Sequence, residues 1–239
     1  MKAILSDDVE YRLKEEFFGG SRTGFFVEVG AYDPRVLSQT WHLEQLGWEG
    51  ILVEPQPDLA EKLRQQRRAK VYEAACSSPA NVGKIMTLNL AGGHSTLESR
   101  FVDAGTRRGG TVAIKARTLD DILTDAKAPR PLDFVSIDVE NHEIEVLAGF
   151  DLAVWCPRLM LVEDHALSPR LHRYLTGRGY KWVRRTGLNG WYVPEHSPKN
   201  VDLFGYMQYI RKYYLGVPFR RLRQAKRRLV NGVKTRWGG

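Results

Sequence analysis

The sequence predicts an α/β protein built on a doubly wound, mostly parallel, Rossmann-like sheet, with a basic helical tail after it. Three observations lead there. Short apolar runs, "FFVEV" at 25–29, "ILV" at 51–53, "FVSI" at 134–137 and "LMLV" at 159–162, have the length and near-continuous hydrophobicity of strands buried on both faces. Segments of helical spacing separate them, which is the βαβ alternation of a parallel sheet covered by helices. Several of the runs end in carboxylates, Glu54, Asp138 with Glu140, and Glu163 with Asp164, and the carboxyl ends of parallel strands are where such sheets bind ligands.

Taken in order, residues 1–19 read as an amphipathic helix stopped by Gly19-Gly20, and the strand at 25–29 follows. "RVLSQTWHLEQLG" carries Val36, Leu37, Trp41, Leu43 and Leu46 at helical spacing. Pro34 is suited to a first helical position and Gly47 to the stop. "GILVEP" is a strand, "DLAEKLRQQRR" a helix and "KVYEAAC" a third strand. "GKIMTLNL" and "TVAIKARTL" alternate like strands around the Gly-rich "AGGHSTLESRFVDAGTRRGG", a connection long enough to be functional. "LDFVSIDVE" is a buried strand, "EIEVLAGF" a helix, "RLMLVED" a strand, and "YKWVRRTGLNGWYVP" a hairpin at the sheet edge. The expected organisation is an N-terminal helix over 1–20, one domain over 21–198 and an aromatic and basic tail over 199–239.

Composition sets bounds on function. A chain of 239 residues, 43% hydrophobic, suffices for one α/β core. Cys76 and Cys156 lack metal-ligand spacing and form no disulfide framework, which fits a reducing compartment, with Cys76 at the edge of the core. No apolar run reaches the roughly 18 to 20 residues of a membrane span, and the N-terminus lacks a signal peptide's apolar segment. The expected location is cytoplasmic. The net charge of +8 belongs to the tail: residues 211–239 hold ten Lys or Arg and no acid, leaving 26 bases against 28 acids elsewhere. Phe219, Leu222, Leu229, Val230, Val233 and Trp237 fall mainly on one helical stripe among those bases. Such a helix suits an anionic membrane surface, on the inner face of the cell membrane. A nucleic-acid reading, an RNA methyltransferase or binding protein using the tail on phosphates, is the alternative, although the aromatic motifs of RNA modules are missing.

The turn after the first strand selects the ligand. A dinucleotide site needs a second glycine for close approach to the pyrophosphate; here Tyr32 stands at that place and Asp33 follows, an acid that repels phosphate. S-adenosylmethionine has no phosphate, and its sulfonium, ammonium and ribose diol suit carboxylate partners. Glu54, about twenty residues beyond the glycine turn, is placed to accept both ribose hydroxyls. Asp33 is also a candidate N-cap for a helix beginning at Pro34.

"FFVEVGAYDPRVLSQTWHLEQLGWEGILVEPQPDLAEKLR", with "RTLDDIL" and "LDFVSIDVENHEIEVLAGFDL", resembles the FkbM family of S-adenosylmethionine-dependent methyltransferases over roughly residues 22–195. Pro34 and Asn141 stand where the family pattern usually has glycine, and Asn141 must adopt the turn that the glycine allowed. The resemblance implies a cofactor-binding set of Glu28, Gly30, Tyr32, Asp33, Glu54 and Ala75. It also implies O-methylation, in many members on sugar hydroxyls of glycans or glycosylated natural products. An alcohol needs a base or an acidifying metal to attack a methyl group. Asp138, Glu163 and Asp164 offer hard oxygen ligands suited to Mg²⁺, a layout similar to metal-dependent sugar methyltransferases of macrolide pathways. His142 and His165 flank these acids as candidate bases, so the expected catalytic set is His142, Asp138 and His165. His94 is open to two readings, a lid over the donor or an ordinary residue without a functional role, and the second is preferred. The partners expected are a sugar or glycan acceptor and, through 211–239, an anionic membrane surface.

Overall fold

A computed structural model describes residues 2–91, 95–98, 110–165, 168–220 and 222, with side chains from residue 9 onward. His94 and most of the basic tail lie outside the described residues. After helix α1 (Lys2–Phe18), strand β1 (Phe25–Val29), α2 (Trp41–Leu46), β2 (Glu49–Val53), α3 (Pro57–Gln66) and β3 (Lys70–Tyr72) build the first half of the main sheet. The second half contains β7 (Phe134–Ile137), α5 (Glu143–Ala148), α6 (Leu152–Trp155), β8 (Leu159–Glu163), α7 (Arg170–Thr176) and the hairpin β9 (Tyr180–Thr186) and β10 (Asn189–Pro194). Between the halves, β4 (Ala75–Cys76), β5 (Ile85–Asn89) and β6 (Thr111–Arg117) form a small separate sheet that leads into α4 (Leu119–Asp125). After β10 come α8 (Leu203–Tyr209) and a π-helical turn, Ile210–Leu215, with residues 216–220 again helical. Among the described residues no helix is long and apolar enough to cross a membrane.

The main sheet has seven strands in the order β3-β2-β1-β7-β8-β10-β9. β1 pairs in parallel with both β2 and β7, and β7 with β8, while β10 runs antiparallel to β8 and β9. The hairpin therefore occupies one end of the sheet, as the sequence predicts. Because successive side chains face opposite ways, each strand feeds two cores. Val27, Val29, Ile51, Val53, Val135 and Ile137 pack on one face under α4, α5 and α7. Phe26, Leu52, Phe134, Leu159, Leu161 and Trp191 pack on the other, covered by Leu13, Phe17 and Phe18 of α1 and Leu43 of α2.

Two elements differ from expectation. "KVYEAAC" is not one strand: β3 joins the main sheet and β4 the small one. Burial makes Cys76 inert, pushing its thiol up to about 12. The predicted helix from Pro34 also does not form, and only Trp41–Leu46 is helical before Gly47 caps it at φ 107°. The reason is Glu28. Buried in β1 on the α1–α2 face, its carboxylate accepts hydrogen bonds from Gln39 N–H (2.6 Å) and Ser38 Oγ (2.9 Å), and from Thr40 Oγ1. Those bonds draw 34–40 across the strand end, leaving Val36 and Leu37 exposed and Leu37 at φ 64°. Asp33 still accepts from Arg35 and Val36 N–H, but it caps a turn instead of a helix.

Arg67 completes this structure from the far side. It donates to Ser38 Oγ (3.1 Å), Thr40 Oγ1 (3.0 Å) and the Pro34 carbonyl (3.1 Å), and its Nε pairs with Glu44. The side chains of Arg67 and Glu44 are 1% and 3% exposed. Removing one partner of such a pair strands a buried charge. Arg67→Met is therefore expected to lower unfolding free energy by about 3 to 5 kcal/mol, read from the urea midpoint.

Candidate active site

The sheet reverses its winding between β1 and β7, and a cleft opens there at the carboxyl ends of the strands. It is lined by Gly30 and Tyr32 after β1, Glu54 and Gln56 after β2, Ala75 of β4 and Asp138 after β7. Gly30 has φ 84°, and a Cβ there would lie 1.8 Å from the Asp138 carbonyl oxygen. The residue has no alternative to glycine, for conformation and for space.

At one end of the cleft Tyr32, at φ 50°, donates its backbone N–H to Glu54 Oε2 (2.8 Å), and Gln56 N–H donates to Glu54 Oε1 (2.9 Å). Glu54 thus fixes the turn after β1 and keeps one lone pair on each oxygen for hydroxyl donors. Burial pushes its carboxyl up to about 7, against the pull of the two N–H donors. Gln56 Oε1 is buried and accepts no hydrogen bond. Val53, Leu59, Ala74 and Leu97 supply apolar walls. An orphaned acceptor, a carboxylate with spare lone pairs and a flat apolar slot fit a nucleoside. Of the expected cofactor set, Gly30, Tyr32, Glu54 and Ala75 line the cleft. Glu28 and Asp33 are not among its lining residues: Glu28 holds 38–40, and Asp33 pairs with Lys62 at 2.7 Å.

At the other end the acids converge. Asp138 reaches solvent through the cleft and Glu163 is buried. Crowding by protein raises both carboxyls, with the Glu140 charge adding to the rise of Asp138 and the Asp138 and Glu140 charges to that of Glu163, so the cluster holds a proton more readily than an isolated acid. Glu140 enters because the chain turns sharply behind Asp138: Glu140 and Asn141 have φ 51° and 77°. Asn141 thus takes the left-handed turn expected of a glycine substitute. His165 Nε2 lies 3.5 Å from Glu163 Oε2 and 3.8 Å from Glu140 Oε2, and its pKa is raised, first by the Glu140 carboxylate beside it.

Three expected assignments change. His142 is buried, with Nε2 3.0 Å from Ser77 Oγ and Nδ1 3.0 Å from Glu98 Oε1. Both ring nitrogens are engaged, tying the turn after β7 to Ser77 after β4 and to Glu98 after β5, and His165 is the histidine that lies beside Glu140 and Glu163. Asp164 faces away from Glu163, as strand alternation requires. It accepts from Tyr213 OH at 2.6 Å, with Lys212 Nζ 3.5 Å away. The Asp138, Glu163 and Asp164 metal set is therefore not assembled. Glu140, Glu163 and His165 instead offer ligand atoms within 4.8 Å of one another, and Glu163 Oε2 accepts no hydrogen bond. This mixed oxygen and nitrogen set fits a divalent cation, with the imidazole favouring a transition metal over Mg²⁺.

Glu140 was legible as an acid beside Asp138, but not as a partner of His165. Nothing in the sequence signals the open acceptor on Gln56.

The model of the methyltransferase FkbM domain matches residues 28–182, more than half of the chain. The chain belongs to the FkbM methyltransferase family. A shorter likeness, 37% identity over 57 residues, is to the hexuronic acid methyltransferase AglP of Haloferax volcanii. It covers 24% of this chain and 23% of that protein. The FkbM match takes in Gly30, Glu54, Asp138 and Glu140, which line the cleft, and Glu163 behind them.

Glu54→Ala is expected to weaken S-adenosylmethionine binding by about 1.5 to 3 kcal/mol in titration calorimetry, the range for hydrogen bonds to a charged group. A second expectation concerns pH. With its folded pKa about 7 against an ordinary 4.5, Glu54 contributes stability that is full below pH 4.5 and lost as pH rises through about 7. Glu54→Gln should flatten that part of the melting temperature's fall across the same window.

Proposed function

We propose that this protein is an S-adenosylmethionine-dependent O-methyltransferase whose acceptor is a sugar hydroxyl of a glycan or glycoconjugate carried at a membrane. The observation that carries the reading is the two-ended cleft: a nucleoside-shaped slot around Glu54 opens onto a cluster of carboxylates and one histidine. The likeness to a hexuronic acid methyltransferase supports a sugar acceptor, and the ten bases of residues 211–239 support presentation on an anionic surface.

S-adenosylmethionine, when bound, supplies a methyl group on a positively charged sulfur, and the acceptor oxygen displaces that sulfur as a neutral thioether. Glu54 would hold the ribose hydroxyls, Gln56 would accept from the base, and Ala74 and Ala75 would pack on its ring. Asp138, at the junction of the two ends, would orient the attacking hydroxyl. The proton that leaves the hydroxyl is taken by His165 Nε2, and Glu140 and Glu163 stabilise the imidazolium. A divalent ion, if used, would be held by Glu140, Glu163 and His165, and would lower the hydroxyl pKa. Holding donor and hydroxyl in line supplies much of the rate of such a transfer.

Transfer of labelled methyl from S-adenosylmethionine into bacterial-type glycans, including uronic acid-containing ones, is the direct test. Glu163→Gln and Asp138→Asn should each lower turnover by at least about a hundredfold while donor affinity changes little, since both act on the acceptor side. Activity that survives chelators assigns the proton transfer to His165 alone. Activity lost to chelators and restored by a divalent metal would mean that an ion held by Glu140, Glu163 and His165 acidifies the hydroxyl, whose proton then passes to solvent.

A further inference from the structure

The last described segment, residues 203–220, lies on the protein with its polar side inward. Gly205, Lys212, Tyr213 and Val217 are buried. Lys212 Nζ donates to the Asp164 carbonyl (2.7 Å) and Tyr213 OH to its carboxylate (2.6 Å). The outward side is apolar: Leu203, Phe204, Met207, Ile210, Leu215 and Phe219 are each at least half exposed, Leu203 by 79%. Leu203 and Phe204 are adjacent, and from Phe204 on the residues recur at intervals of three to five, which keeps them toward one side of the segment. A groove runs among Phe204, Met207, Ile210 and Leu215, with Gln208 and Arg211 also at its wall. A contiguous apolar face of this kind marks an interaction surface.

Charge selects the occupant. From Leu203 to Gly239 the sequence contains no Asp or Glu and ten Lys or Arg. Arg211, beside the groove, is exposed. A second copy docked on the same face would bring two such stretches together with no acid to offset them. An anionic lipid surface answers both properties, taking the apolar side chains among its acyl chains and the bases at its headgroups.

We propose that residues 203–220 dock on an anionic lipid surface by the Leu203, Phe204, Met207, Ile210, Leu215 and Phe219 face, so that insertion begins before the basic tail and is not confined to it. The inner side of this segment grips Asp164, which follows Glu163 and precedes His165. Docking therefore holds the acceptor end of the cleft close to the lipid headgroups. This deepens the reading of a membrane-borne acceptor and rests on it for its purpose.

The experiment is co-sedimentation of the full chain with phosphatidylcholine vesicles, with and without phosphatidylglycerol, beside a Phe204→Ser/Met207→Ser/Leu215→Ser variant. The wild type should bind the phosphatidylglycerol vesicles, and high salt should weaken that binding only in part. The triple variant should partition at least about a hundredfold less, with unchanged circular dichroism and unchanged activity on a soluble acceptor. Equal binding of variant and wild type overturns the proposal, as does equal binding to neutral and anionic vesicles. A wild-type dimer that the triple variant converts to monomer, seen by sedimentation velocity without vesicle binding, assigns the face to self-association and overturns it too. Vesicle binding with no methyl transfer to any glycan leaves the docking surface standing and sinks the enzymatic reading instead.

Discussion

Between the ends of β1 and β7 there is room for a hydrogen atom and for nothing larger. A side chain on Gly30 would run into the Asp138 carbonyl at 1.8 Å, so the two strands can lie side by side at the reversal of the sheet only because that residue is glycine. Every feature of the candidate site follows from this closeness. It puts Tyr32 N–H within reach of Glu54 on one side, and it brings Asp138, at the end of β7, between that slot and the acids that follow β8. One chain crossing thus serves both ends of a group-transfer site, and neither end needs a second domain.

Carboxylates are used here in two physically distinct ways. Glu28 is buried and meets N–H and O–H donors from 38–40, with Arg67 behind them. It is a structural anion, satisfied by the protein, and its result is the path of the chain over the end of β1. Glu54 meets only two N–H donors, Glu163 Oε2 meets none, Asp138 stands exposed at the cleft, and crowding raises all three carboxyls. Groups held in that condition are ready to exchange a proton or accept a new partner. The difference between anchoring and reactive acids is set by the number of donors each one meets.

The C-terminal segment adds a second asymmetry. Lys212 and Tyr213 turn inward to Asp164, although Lys is seldom buried, while Phe204, Met207 and Leu215 turn outward. A helix with this distribution is anchored by polar contacts and offers its apolar side to something else. Because the anchor is Asp164, the strand end that carries Glu163 also carries the attachment of that face.

The sequence by itself determined the strands, their mostly parallel order and the glycine turn, because periodicity and apolar runs are local properties of a chain. It also determined that Glu54, Asp138 and Glu163 belong to one edge, since each stands at the end of a buried run. Tertiary structure decided the rest. The helix expected after Pro34 lost to the hydrogen bonds of Glu28, whose partners lie ten to twelve residues away in the chain. His142 and Asp164 looked equivalent to their neighbours in sequence. His142 meets Ser77 and Glu98, and Asp164 meets Lys212 and Tyr213. Glu140 joined His165 only through two successive left-handed residues. A side chain's role depends on which donors and charges surround it, and those neighbours come from segments whose contact the local pattern does not encode.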